Sequence, residues 1–287
     1  MFPVRVCLRI ESERIVEEEM QRKRLGSLSD ESVCRTCHFP TAQPRWSALL
    51  QMNERYLRWY SPWLSREFEM LAFGSGGGLP LIIFPTSFGR YYQNKDFGLV
   101  GSVSSFVDAG RLTVYCPDTI DLESFCNKSI HAADRMRTNN AYENVIVHDV
   151  FDFARRECGC HRVAVCGASL GAYHAANIAF RHPDAVSLLI SLSGSFDISS
   201  FFDGYDDDNI YFNSPYEYLP NMPEPGKYNH MGLIVGTGEW DNTRNESDRL
   251  LGILNSKGIE HWLHDGKWRG HDRNYWRDML PYYLSVL

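Results

Sequence analysis

The stretch Val163-Ala164-Val165-Cys166-Gly167-Ala168-Ser169-Leu170-Gly171 decides the fold. Its apolar first half reads as a buried strand, and the segment that follows, 172–181, reads as a helix ended by His182-Pro183. Between them, Gly167-Ala168-Ser169-Leu170-Gly171 has the Gly-x-Ser-x-Gly spacing of a nucleophile elbow. The spacing has a steric cause. A serine in a sharp, strained turn exposes its hydroxyl only if the residues two before and two after are small enough for strand and helix to approach closely.

Outward from this turn, further apolar runs at 79–84, 112–116, 186–191, 231–236 and 261–263 read as strands covered on both faces. Helical patterns fall between and after them, at 141–156, 172–181, 245–257 and 275–287. Such alternation predicts an α/β fold with a doubly wound, mostly parallel sheet flanked by helices. Two alternating aromatic stretches, 56–60 and 67–73, are expected as an antiparallel edge. The aromatic-rich insertion 196–225 is expected as a small lid or pocket wall. Its Asp206-Asp207-Asp208 triplet lacks calcium-loop spacing and reads as a solvated loop.

Composition narrows the function. The 287 residues are 44% apolar, enough for a substantial core, and the formal charge of −7 offers no basic surface for nucleic acid. No apolar run is long enough for a membrane-spanning helix, and the first residues turn acidic where a signal peptide would be apolar. These features lead us to expect a cytoplasmic protein with a small-molecule partner. Residues 1–51, with Glu17-Glu18-Glu19 and Arg22-Lys23-Arg24, read as a poorly ordered appendage ahead of a catalytic domain over 52–287.

Eight cysteines imply no disulfide framework. Cys34-x-x-Cys37-His38 is half of a zinc knuckle with no second pair at knuckle spacing, so no metal is expected. The Gly74-Ser75-Gly76-Gly77-Gly78 run lacks phosphate-loop spacing and leads into a strand, which makes it a turn.

A serine hydroxyl is a poor nucleophile until a base takes its proton, and the base needs an acid to fix its tautomer. With the elbow, the Gly236-Thr237-Gly238-Glu239 turn and Gly270-His271-Asp272 ahead of an aromatic helix, residues 52–287 resemble the α/β-hydrolase fold. They are most similar to the esterase branch that includes enterochelin esterases, esterase D and the antigen 85 mycolyltransferases. The resemblance implies Ser169 as nucleophile, His271 as general base and an acid after the strand at 231–236. Two carboxylates compete there. Glu239 matches the family's Gly-x-x-acid register and is preferred slightly, Asp241 is the commoner acid type, and Asp197 is a third candidate.

His174 and His264 are expected to be packed or solvated rather than catalytic. An oxyanion hole would take one amide from Leu170 and one from Thr86 or Ser87, because Pro85 has no N–H. Tyr91, Tyr92, Phe125, Phe201 and Trp240 are candidates to line an acyl or alcohol pocket. The implied activity is a cofactor-free serine esterase, with acyl transfer to another alcohol or a non-catalytic binding role as alternatives. A chain beginning at Met52 is expected to fold and to keep the activity of the full chain. Insoluble or inactive protein from that start would place essential structure within 1–51.

Overall fold

The computed structural model describes residues 52–286. The expected N-terminal appendage, with Cys34, Cys37 and His38, lies outside the described residues. Eight strands form one sheet: β1 (Glu54–Ser61), β2 (Arg66–Phe73), β3 (Leu79–Phe84), β4 (Leu112–Pro117), β5 (Val163–Ala168), β6 (Val186–Leu192), β7 (Gly232–Trp240) and β8 (Trp262–Gly270). Their order is β1-β2-β4-β3-β5-β6-β7-β8. The pairs β1–β2 and β2–β4 are antiparallel and all others parallel, as the edge and the apolar inner strands predicted.

Alternation along the strands divides the core in two. Ile82 and Phe84 of β3 and Val163 and Val165 of β5 join one apolar cluster, while Leu81, Ile83, Ala164 and Cys166 join the other. Successive side chains of a strand point to opposite faces, so a strand covered on both sides must be apolar throughout.

The helices are α1 (Gln93–Asp96), α2 (Leu99–Ser102), α3 (Ser104–Asp108), α4 (Ala132–Asn144), α5 (Phe151–Cys158), α6 (Leu170–Arg181), α7 (Asp208–Tyr211), α8 (Pro215–Asn221), α9 (Arg244–Ser256) and α10 (Arg273–Ser285). A π-turn over Val145–Val150 joins α4 to α5, so the helix expected at 141–156 begins nine residues earlier, at Ala132. Its first half escapes periodicity because Arg135, Asn139 and Glu143 are buried with polar partners.

The insertion 196–225 is not a lid. Phe196, Ile198, Phe202, Ile210, Tyr216 and Leu219 are all buried in the first core cluster. Asn213 ties the same segment to α6, its carbonyl accepting from Tyr173 Oη at 3.0 Å and its side-chain oxygen from Asn177 at 3.0 Å. Aromatic content there serves the core, since each buried ring removes a large apolar area from water. Within the acidic triplet, Asp207 caps α7 by accepting the Ile210 amide.

Backbone contact at the elbow is close. A Cβ on Gly167 would lie 2.1 Å from the Gly171 carbonyl oxygen, and one on Gly171 would lie 2.4 Å from that of Pro85. Gly252, exposed on α9, has nothing within 4 Å of its would-be Cβ. Gly171→Ala is therefore expected to cost about 1–3 kcal/mol through forced displacement of backbone. Gly252→Ala should instead stabilise by about 0.5–1 kcal/mol, the helix-propensity gain. Urea unfolding of both variants checks this, and a Gly171→Ala protein as stable as the parent would show that the contact is not tight.

Candidate functional site

Ser169 sits between β5 and α6 with φ 56° and ψ −124°, a conformation that L-residues rarely adopt. Its neighbours fix it there. The Ser169 amide donates to Leu192 O at 3.0 Å, and the Ser169 carbonyl accepts from the Ser195 amide at 3.1 Å. Ser195 belongs to a loop clasped by Glu246, whose carboxylate accepts the Phe196 and Asp197 amides.

His271 lies on the two-residue link between β8 and α10. Asp272 caps α10, one carboxylate oxygen accepting the Asn274 and Tyr275 amides at 2.9 and 3.0 Å. Tyr275 Oη donates to Thr237 O, and Trp276 Nε1 donates to Ser193 Oγ, both at 2.9 Å. The His271 ring stands edge-on to Trp276 with centroids 5.1 Å apart. The link is thus pinned on the side of the sheet where β5 delivers Ser169.

The acid brought to His271 is Asp241, with Oδ1 at 3.0 Å from Nδ1. The same oxygen accepts from the Thr243 amide and hydroxyl at 2.9 and 2.8 Å. With Nδ1 facing a carboxylate, the imidazole proton resides on Nδ1 and the lone pair on Nε2. Burial by itself would push the Asp241 carboxyl up. His271, the Ser193 hydroxyl and Thr243 outweigh it and hold the group well below the usual carboxylate range.

Glu239, the preferred acid of the sequence reading, does not reach His271. It is exposed and its Oε2 accepts the Trp268 amide at 3.1 Å. The cause is a break in register between β7 and β8, where Gly238 pairs Gly266 and Trp240 pairs Gly270, leaving Glu239 in the irregularity between them. Asp197 is also exposed and accepts from the Ser199 amide. His174 is 4% exposed and packed against Phe125, and His264 lies between Tyr282 and Tyr283.

Near the serine, two backbone amides have no acceptor among the described residues. Leu170 is the first residue of α6, so its N–H has no partner within the helix. In the loop after β3, the Thr86 amide is spoken for: it donates to Gln93 Oε1 at 2.9 Å, as does the Thr86 hydroxyl. Ser87 N–H has no acceptor among the described residues. Of the two sequence candidates for this donor, the geometry leaves Ser87 and not Thr86.

Ser169, His271, Thr86 and Ser87 line one cavity of about 730 Å³, whose remaining wall is Asp96, Phe97, Asp272 and, from α10, Arg273, Asn274, Trp276 and Arg277. None of the five aromatic residues expected at the pocket lines it. Phe125 and Phe201 stack on each other at 5.3 Å beside His174, Tyr91 packs on Tyr92, and Trp240 meets Trp268 on the surface. Phe97 and Trp276 take their place; Trp276 follows His271 by about one helical turn, a spacing that could have flagged it. Among the described residues there is no cluster of three or more potential metal ligands, and no helix long and apolar enough to cross a membrane.

A family model for the alpha/beta hydrolase fold matches residues 109–280. Solved structures share the architecture at low identity. An S-formylglutathione hydrolase from Staphylococcus aureus is 16% identical, with 82% of this chain and 96% of that one covered at a TM-score of 0.66. A ferulic acid esterase from Anaeromyces mucronatus is 12% identical over 88% of this chain and 96% of that one, at 0.58. An S-formylglutathione hydrolase from Agrobacterium tumefaciens is 12% identical over 81% and 93%, at 0.64. No curated protein matches the sequence.

The depressed Asp241 carboxyl has a consequence for stability. A carboxylate held below its unfolded value, about 3.9, contributes stability that is fully present above that value and is lost as pH falls through the folded one. The stability difference between wild type and Asp241→Asn should therefore be level from pH 7 to about 5 and shrink on further acidification. Urea unfolding across that range measures it, and a difference that grows towards acid would reverse the assignment.

Proposed function

Because the chain belongs to the alpha/beta hydrolase fold family, we propose that it is a serine hydrolase of carboxylic esters, working through Ser169, His271 and Asp241. One observation carries the reading: a half-buried elbow serine shares a cavity with a histidine already paired to a buried aspartate, beside two unpaired amides. Fold reuse alone would not require these groups to converge.

In the proposed cycle, Ser169 Oγ attacks the ester carbonyl while His271 Nε2 takes its proton. Charge develops on the carbonyl oxygen, where the Leu170 and Ser87 amides stabilise it. The intermediate collapses to an acyl-enzyme, and His271 returns the proton to the departing alcohol. Water then enters by the same route and frees the acid. Asp241 holds Nδ1–H throughout and offsets the charge on the imidazolium. Every step draws on the chain's own residues.

The structural neighbours bear names of a thioester hydrolase and an aromatic-acid esterase, so a first panel should hold both bond types. The five cysteines that are free among the described residues fit a reducing compartment and the proposed cytoplasmic location.

Intact-protein mass spectrometry after exposure to a fluorophosphonate tests the nucleophile. Wild type should gain one adduct, Ser169→Ala none, and His271→Ala should react far more slowly. A folded wild type without an adduct would overturn the reading. On a responsive ester, Asp241→Asn is expected to lower kcat about 10⁴-fold, whereas Glu239→Gln should leave it near wild type. The reverse ranking would return the acid role to Glu239.

A further inference from the structure

We propose that Asp118-Thr119-Ile120-Asp121, at the end of β4, is a template that sets the loop 85–91, and that Asp121 is a positioning residue for the Ser87 amide. The proposal rests on the esterase reading above, in which Ser87 N–H receives the developing oxyanion.

Three side chains of the template bind three backbone groups of the loop in antiparallel succession. Asp121 Oδ2 accepts the Phe88 amide at 3.0 Å. Thr119 Oγ1 donates to the Gly89 carbonyl at 2.9 Å. Asp118 Oδ1 accepts the Tyr91 amide at 3.1 Å, and its carboxylate also holds Arg90 Nε at 2.8 Å. All three template side chains are buried, with Asp118 and Asp121 each 2% exposed. A buried carboxylate is costly unless its hydrogen bonds are made, so its retention beside this loop asks for a purpose beyond packing.

The pattern on the loop supplies one. Gln93 ties down the Thr86 amide and Asp121 ties down the Phe88 amide, which leaves the amide between them without an acceptor, in a residue, Ser87, that lines the cavity. Phe88 is held at φ +58°, a conformation that costs energy for a residue other than glycine and persists only under restraint. The Asp121 bond supplies that restraint together with the turn bond from the Gly89 amide to Thr86 O at 2.9 Å.

Asp121 is in turn oriented by His174, whose Nε2 lies 3.4 Å from Oδ1. The His174 ring stacks on Phe125 at 5.9 Å and on Phe84 at 6.1 Å, which leaves it little freedom. His174 stands one turn after Leu170 on α6. One helix thereby sets both amides: Leu170 N–H directly, and Ser87 N–H through His174, Asp121 and Phe88. The separation of the two donors, which must match one oxygen atom, is fixed by this short relay.

The test is ester kinetics on the full chain, with binding of a trifluoromethyl ketone as a second readout. The ketone carbon is attacked by Ser169 Oγ, the serine proton passes to His271, and the hemiketal oxygen bears the charge that the amides bind. Asp121→Ala should lower kcat about 10²-fold, the scale of a misplacement near 1 Å, with KM little changed. Ketone affinity should fall in proportion to kcat/KM. Asp121→Asn keeps an oxygen for the Phe88 amide and should recover most of both.

Folded Asp121→Ala with wild-type kcat and ketone affinity would overturn the proposal, as would an Asn variant no better than Ala. Should Asp121→Ala not fold, Thr119→Val removes the bond to Gly89 at nearly constant shape. It should show a smaller loss with the same signature, and an unchanged kcat there would equally overturn the template. A wild type that neither labels nor cleaves any ester fails the esterase reading itself, and that failure is distinct because it precedes any substitution.

Discussion

The site depends on three stretches of backbone meeting where no side chain intervenes. Gly167 leaves room for the Gly171 carbonyl, and Gly171 leaves room for those of Pro85 and Phe84. Strand β5, helix α6 and the loop after β3 are consequently closer than alanine would permit. That closeness brings Ser169 and Ser87 to one cavity, with Leu170 the next residue of the chain. The serine's strained backbone costs about 1–3 kcal/mol and is carried by bonds to Leu192 and Ser195 that reach across the sheet. Strain at Ser169 is thus tied to the register of β5 with β6.

The histidine and acid arrive by a different route. Strands β7 and β8 continue past the apolar core and pair through polar residues such as Thr237 with Asp265. Only after this extension does the chain release Asp241 and, on the neighbouring strand, His271. Helix α10 then secures both, through Tyr275 on the Thr237 carbonyl and Trp276 on Ser193. Ser193 itself borders Asp241, so the indole, hydroxyl and carboxylate form one connected polar group in an otherwise apolar setting.

These two routes differ in how far they can be read from sequence. The elbow is a local constraint: a strand, five residues and a helix, each with its own signal, and strands β3 to β6 were bounded to within two residues for the same reason. His271 was legible because a short link precedes an aromatic helix. The acid was not, because the choice between Glu239 and Asp241 turns on an irregularity created by pairing with β8, thirty residues away. Apolar periodicity stops at Gly236, whereas the ladder runs on to Trp240. Aromatic richness misled for a related reason. Phe125, Phe201 and most rings of the insertion are drawn into the core, while the short helices α2 and α3, with too few residues for a period to show, pack on the second face beside α10.

The same geometry says which parts of the chain wall the cavity. The cavity wall comes from 86–97 and from the first turn of α10, and not from the insertion 196–225, whose side chains are committed to α6 and the first core cluster. Its apolar surface is Phe97 and Trp276. Arg273 lies over the Phe97 ring at 3.2 Å, and Arg277 donates to Asn274; neither makes an ion pair among the described residues. Opposite in sign stand Asp96 and Asp272, the latter already spent on the α10 cap. A wall of this kind combines one or two apolar contacts with charged groups of both signs. The cavity is accordingly walled by the loop after β3, by Asp96 and Phe97 at the end of α1, and by the start of α10.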